Sequence, residues 1–249
     1  INTAYKANQL VPLKSLRFIG CGSSTLPREL QIQFMDKYNI KVANLYGLSE
    51  TGPIMTDYPL EEGWQPGSIG VPLDVNQVQV VDDQDLSLGP GEVGEFIVKG
   101  DNVFTDYYRN HELYKEIVQN GYLRTGDLGY YDAEGRYYYT GRKKDLIIKG
   151  GFNISPKKIE DFIMDLGVLD QIVVLGFDDH YVGEKIVCFF ITKKTNYNDD
   201  LKAINKQIVT RLGQDYKIDE FKKLDFIPRT TSGKVDKPTI RNYYKNKFG

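Results

Sequence analysis

Cysteine and histidine are scarce, with two of each in 249 residues. Cys21 and Cys188 lie far apart and no CxxC pair or Cys/His cluster occurs, which excludes a disulfide framework and a thiolate metal site. An excess of one charge is also lacking. The 32 Lys and Arg offset 34 Asp and Glu to a net charge of -2, so no global field draws nucleic acid or an anionic membrane. Any anion site must be local. Uninterrupted apolar runs stay short of the ~18 residues of a membrane span, and the opening INTAYKANQ has no signal-peptide core. An integral membrane span is therefore not expected, and a cytoplasmic location is. Neither an internal repeat nor a low-complexity tract interrupts the chain.

What remains is ordinary globular composition, at a length that accommodates two or three compact units. "LRFIGCGSST" reads as a buried strand, Leu16 to Gly20, ending in a Gly/Ser turn. Pro27 then opens an amphipathic helix with Leu26, Leu30, Phe34 and Tyr38 on one face, and "KVANLYG" follows as a second strand. Strand, helix, strand is the grammar of a parallel α/β sheet, whose ligands usually bind at the carboxyl ends of the strands. From Gly63 the pattern turns to short alternating stretches ("VNQVQVVD", "GEFIVKG", "GRYYYTG") between Gly, Pro and Asp turns, which predicts a small antiparallel sheet or barrel. After Lys143–Lys144 it changes again. Strand "DLIIKG", helix "SPKKIEDFIMDL", strands "DQIVVLGF" and "EKIVCFFITKK" and helix "DDLKAINKQIVTRLG" predict an α+β unit. The expected division is 1–62, 63–143 and 144–249.

Four stretches carry chemistry. In "YGLSETG" an aromatic ring followed by Gly47 lets a flat base stack on Tyr46 while the backbone comes close. Ser49 offers a hydroxyl to phosphate, and Glu50 offers a hard oxygen to Mg²⁺. In "YLRTGDLGYYDAEGRYYYTGR", Asp127 sits in a turn where its carboxylate suits a ribose diol, and Arg142 supplies a second polar group. "GRKKDLIIKGGFNISPKKIE" places Lys143 and Lys144 at the junction of two units, with Gly150 and Gly151 allowing close approach by a slender ligand. In "IPRTTSGKVDK", Lys234 on a Gly-containing turn is a flexible cation suited to charge that develops in acyl or phosphoryl transfer. Each alone also reads as something ordinary: a polar turn, a surface ion pair, a basic linker, a solvated loop.

Together and in this order, the four resemble the adenylate-forming superfamily of acyl-CoA synthetases, adenylation domains and luciferases, over essentially the whole chain. The resemblance implies a partial N-terminal domain (an α/β piece plus a small β-barrel) followed by a small α+β lid. It implies an AMP-forming acid–thiol ligase, with a carboxylic acid, ATP and CoA as substrates and Mg²⁺ as cofactor. Tyr46 would stack on adenine, bordered by Asn44 and Gly47; Ser49, where Thr is usual in the family, would touch phosphate, and Glu50 would bind Mg²⁺. Asp127 and Arg142 would hold the ribose, and Lys234 would bridge the substrate carboxylate and the α-phosphate. Lys144 matches the family's hinge, and Gly150 and Gly151 match its pantetheine tunnel. Gly22, Ser23 and Ser24 stand at its acyl pocket, where Cys21 reads as a small packing residue.

The family's glycine-rich phosphate loop and most of its acyl-binding subdomain are missing, so the chain is expected to be the C-terminal portion of a longer protein and inactive alone. "GGFNISPKKIE" looks more like the acyl- and aryl-CoA ligase branch than the peptide-synthetase branch. The competing readings are a carrier-protein-loading adenylation unit, with an acyl carrier protein as partner, and a non-catalytic nucleotide-binding or interaction module. His111, His180 and the 18 tyrosines read as structural.

Overall fold

The computed structural model describes residues 15–22, 26–58 and 63–248 and contains three sheets. The first has the order β1 (Phe18–Gly22), β2 (Lys41–Leu48), β3 (Gly52–Thr56), β4 (Val71–Pro72). β1 and β2 run parallel, joined across α1 (Arg28–Tyr38), while β3 and β4 add antiparallel. The first strand starts two residues later than its hydrophobicity predicts and is not buried: its residues alternate between exposed and half-buried, with Phe18 exposed. Within α1 the only buried residue is Gln31 rather than the apolar stripe. Its amide donates to the Val42 carbonyl at 2.9 Å and accepts the Gly67 N–H at 2.7 Å, so the helix is fixed by hydrogen bonds that periodicity does not report.

The second sheet is antiparallel throughout. β5 (Asn76–Val81), β6 (Gly94–Gly100), β8 (Tyr122–Tyr131) and β7 (Val118–Gln119) lie in that order, with β9 (Tyr137–Arg142) also paired to β8. Helix α2 (His111–Ile117) precedes β7. One core joins this sheet to the first, with Ile54 and Met55 of β3 packed among Val80, Phe96, Val98 and Leu123. A bridge between Gly70 and Tyr137 ties the two by backbone as well.

A 3₁₀ turn, Lys143–Asp145, leads to the third sheet, ordered β11 (Phe152–Ile154), β10 (Ile147–Lys149), β13 (Gly183–Ile191), β12 (Gln171–Asp179), with β14 (Glu220–Lys223) parallel to β13. The apolar runs of β12 and β13 are buried on both faces because successive side chains alternate sides. Val174, Ile186, Cys188 and Phe190 meet Ile159 and Ile163 of α3 (Pro156–Asp165) and Ile204 and Ile208 of α4 (Asn198–Leu212). Val173, Leu175, Phe177, Val187 and Phe189 meet Ile240 and Tyr244 of α5 (Lys237–Phe248) on the other face. Ser155 caps α3 by accepting the Lys158 N–H, with Pro156 at the first helical position, where its missing donor costs nothing. This is a mixed α/β chain in which a parallel βαβ piece and an antiparallel sheet precede an α+β unit.

Candidate active site

The "YGLSETG" stretch forms a hairpin: β2 runs on through Leu48, a turn follows, and β3 begins at Gly52. A β-bulge between Tyr46 and Gly47 brings the two strands so close that a Cβ on Gly47 would lie 2.1 Å from the Gly52 carbonyl oxygen. The glycine is therefore demanded by the hairpin itself, before any ligand arrives. Thr51 closes the turn, its hydroxyl accepting the Leu48 N–H at 3.2 Å and donating to the Gly52 carbonyl at 2.8 Å. Gly47→Ala should cost at least ~1–3 kcal/mol of stability, because the added carbon meets backbone that cannot rotate away. Chemical denaturation checks this, and an unchanged midpoint would mean that the hairpin opens freely.

β8 and β9 pair Asp127 directly with Arg142, so cross-strand register brings together residues fifteen apart. Arg142 Nε donates to Asp127 Oδ1 at 3.0 Å, and the Tyr46 hydroxyl donates to Oδ2 at 2.7 Å. Each carboxylate oxygen keeps a lone pair for another donor, such as a sugar hydroxyl. Burial raises the Asp127 carboxyl, against the opposing effect of Tyr46 and Arg142. Burial and the Asp127 charge push the Tyr46 phenol far up, so it stays a donor at neutral pH. Its ring stands edge-on to Phe96, with centroids 6.0 Å apart.

Asn44 is buried, and its side-chain amide donates to the Ser68 carbonyl at 2.6 Å. Its backbone N–H goes to Asp57 Oδ2 at 3.1 Å. Burial raises the Asp57 carboxyl to about 6. The native state thus binds this proton more tightly than the unfolded chain does. The resulting stability is complete below the unfolded carboxylate range near pH 4 and is lost as pH rises through about 6, a change on the order of 2–3 kcal/mol. Asp57→Asn should flatten the pH 4–6 part of the stability profile and raise stability at pH 7. Denaturation midpoints across that range, variant against parent, test the sign.

These groups line one open cleft of about 2140 Å³. Asn44, Tyr46, Gly47, Ser49 and Glu50 reach it from the first sheet, Asp127 and Arg142 from the second, and Lys144 and Lys234 from the 3₁₀ turn and the third unit. Gly22 lines it too, whereas Ser23 and Ser24 lie outside the described residues. Gly150 and Gly151 form the β10–β11 turn, both with positive φ, and do not line this cleft. Cys21 is half-buried in β1, opposite Asn44. His111 opens α2 beside Asp106, and His180 lies in the β12–β13 turn. Among the described residues, Ser49 Oγ and Lys234 Nζ have no hydrogen-bond or ion-pair partner, which leaves both for a ligand. Sequence reasoning missed Tyr107, whose hydroxyl donates to Glu50 Oε1 at 2.7 Å, and the Lys237–Asp145 pair at 2.6 Å. Tyr107 lies outside the four motifs, and Lys237 and Asp145 lie in two different ones, so no local pattern announces either pairing. Among the described residues no helix is long and apolar enough to cross a membrane.

Family models supply the deciding comparison. The AMP-binding enzyme model matches residues 2–108, and the AMP-binding enzyme C-terminal domain model matches residues 158–234. The chain belongs to the AMP-binding enzyme family. Curated relatives within that family include a long-chain-fatty-acid–CoA ligase of Bacillus subtilis, 35% identical over 90% of this chain and 40% of its own length. A sulfoacetate–CoA ligase of Cupriavidus necator is 34% identical over 92% of this chain and 45% of its own. Among solved structures, ATP-bound MatB of Rhodopseudomonas palustris superposes with a TM-score of 0.85 at 30% identity, covering 92% of this chain and 46% of that one. The o-succinylbenzoate CoA synthetase MenE of Bacillus subtilis, in complex with its acyl-adenylate, gives 0.82 at 30%, covering 96% and 49%. The two solved structures share the fold described above, and the chain spans less than half the length of each of these four relatives.

Proposed function

We propose that these residues are the nucleotide-facing and lid portion of an AMP-forming acyl-CoA ligase, which activates a carboxylic acid with ATP and passes the acyl group to CoA. The observation that carries this reading is the convergence on one cleft, from three parts of the chain, of Tyr46, Glu50, the Asp127–Arg142 pair and Lys234, whose ammonium has no partner among the described residues. The names of the relatives agree with it, since fatty-acid, sulfoacetate and indoleacetate CoA ligases are all among them.

In this reading the ribose hydroxyls meet Asp127, which Tyr46 and Arg142 hold in place from either side. The rotor of the acid is fixed before substrate arrives, so binding loses less entropy. Ser49 faces the phosphates. Lys234 brings a mobile ammonium to the cleft, where it offsets repulsion between a carboxylate nucleophile and a polyanion. Glu50 suits Mg²⁺: it is a hard oxygen donor at the cleft, and one of its two oxygens has no partner among the described residues. When bound, that ion would neutralise phosphate charge. CoA would be met by the Gly150–Gly151 turn only after the lid turns, because that turn lies outside the present cleft.

The test is AMP release by the full-length protein containing this chain, against a panel of carboxylic acids with and without CoA, with products read by mass spectrometry. CoA-dependent AMP with acyl-CoA supports the ligase and names the acid. Adenylate without acyl-CoA points instead to a carrier protein as acceptor, and no AMP with any acid points to a non-catalytic module.

A further inference from the structure

We infer that Tyr107 is a positioning residue for Glu50, aiming the carboxylate into the cleft so that its free oxygen can meet a divalent cation. The inference rests on the reading of Glu50 as the Mg²⁺ ligand. Three residues of one segment strap the turn that carries Glu50. Asn102 Nδ2 donates to the carbonyls of Thr51 at 2.8 Å and Pro53 at 2.9 Å. The Phe104 N–H donates to the Glu50 carbonyl at 2.8 Å, and the Tyr107 hydroxyl donates to Glu50 Oε1 at 2.7 Å. From behind, Asn76 Nδ2 adds donations to the Pro53 and Ile54 carbonyls at 3.3 and 3.1 Å. The backbone around Glu50 is thus held at several carbonyls, and its side chain at one oxygen.

The strap is itself fixed. Phe104 packs edge-on against the rings of Tyr107 at 4.7 Å and Tyr114 at 5.3 Å, so the phenol is held by packing before it meets the carboxylate. A carboxylate given one fixed donor loses rotamer freedom without losing its charge, and the oxygen left over has no competing partner among the described residues. Partners of this kind behind a metal-binding carboxylate typically change metal affinity by about 10–100-fold when removed.

Tyr107→Phe keeps the ring and its packing on Phe104 and deletes only the donor. The experiment uses the full-length protein containing this chain, with Mn²⁺ and ATP as the probe, and follows free Mn²⁺ by electron paramagnetic resonance. Metal-free AMP binding and the metal-free thermal midpoint are measured alongside, and Glu50→Gln is run in parallel. The expected result is Mn²⁺ affinity weakened by about 10-fold or more in both variants, with AMP binding and the midpoint of Tyr107→Phe unchanged. Wild-type metal affinity in Tyr107→Phe beside a loss in Glu50→Gln overturns the inference while leaving the Mg²⁺ reading intact. Wild-type affinity in both variants overturns the Mg²⁺ reading and the inference with it. Metal-free AMP binding weakened as much as metal binding would make Tyr107 a merely structural residue and also overturns the inference.

Discussion

Lys234→Ala in the full-length protein is expected to lower acyl-adenylate formation by about 10²–10³-fold while leaving transfer of a supplied acyl-adenylate to CoA near its normal rate. The turn around Lys234 explains why the effect should fall on rate and not on folding. Arg229 and Val235 form a bridge, the Thr230 N–H donates to the Lys234 carbonyl at 2.8 Å, and Gly233 takes the positive φ that closes the loop. The backbone is therefore fixed by groups that alanine retains. The ammonium is exposed and has no partner among the described residues, so its removal leaves no buried charge unpaired. In the reaction proposed above it would face a different task, because two anions would meet in the cleft and a cation between them would act only as they approach. Pyrophosphate release reports the first step, and acyl-CoA formed from synthetic acyl-adenylate reports the second. Equal loss in both would argue that Lys234 serves the lid's position and not the adenylation chemistry.

How far such a site is legible in sequence depends on where each contact comes from. The strands of the third unit were readable because their apolar runs, in "DQIVVLGF" and "EKIVCFFITKK", are long and continuous, and the structure buries both on two faces. The order of the four motifs was enough to anticipate the fold class and the family. Local pattern failed where long-range hydrogen bonds take over. The helix after Pro27 has an apolar stripe, yet it buries Gln31, because that amide answers the Val42 carbonyl and the Gly67 N–H. The strand read over residues 16–20 begins at Phe18 and stays exposed, since its place is set by register with Lys41–Leu48. Gly47 was read for close approach of a ligand, and the closest approach is that of its own hairpin. Tyr107 meets Glu50 across 57 residues of chain, and nothing in "DYYRNHELY" marks that tyrosine over its neighbours.

The second large effect is expected at Lys144. Lys144→Pro should leave adenylation nearly intact and lower thioester formation by about 10²-fold, read as acyl-CoA made from supplied acyl-adenylate. On one side of Lys144, Lys143 Nζ reaches Asp83 at 2.8 Å and Glu95 at 3.4 Å, and Glu95 is held in turn by Arg124 at 2.9 Å. On the other, Asp145 is paired with Lys237 at the start of α5. The exposed Lys143–Asp83 pair is individually weak, but the pairs bind to opposite bodies, Lys143 to the second sheet and Asp145 to the third unit. A rotation that preserves both sets of contacts must be absorbed between them, and Lys144 is the residue that lies there. Proline fixes φ near −65°, which agrees with the 3₁₀ turn Lys143–Asp145 and forbids the large change a pivot needs. The variant would thus be held with Lys234 in the cleft and with Gly150 and Gly151 outside it, the arrangement suited to the first half-reaction. Normal acyl-CoA formation by Lys144→Pro would instead place the pivot elsewhere, or show that both steps proceed from one arrangement. Breaking the pins with Lys143→Ala or Lys237→Ala would then be the way to find which neighbour yields.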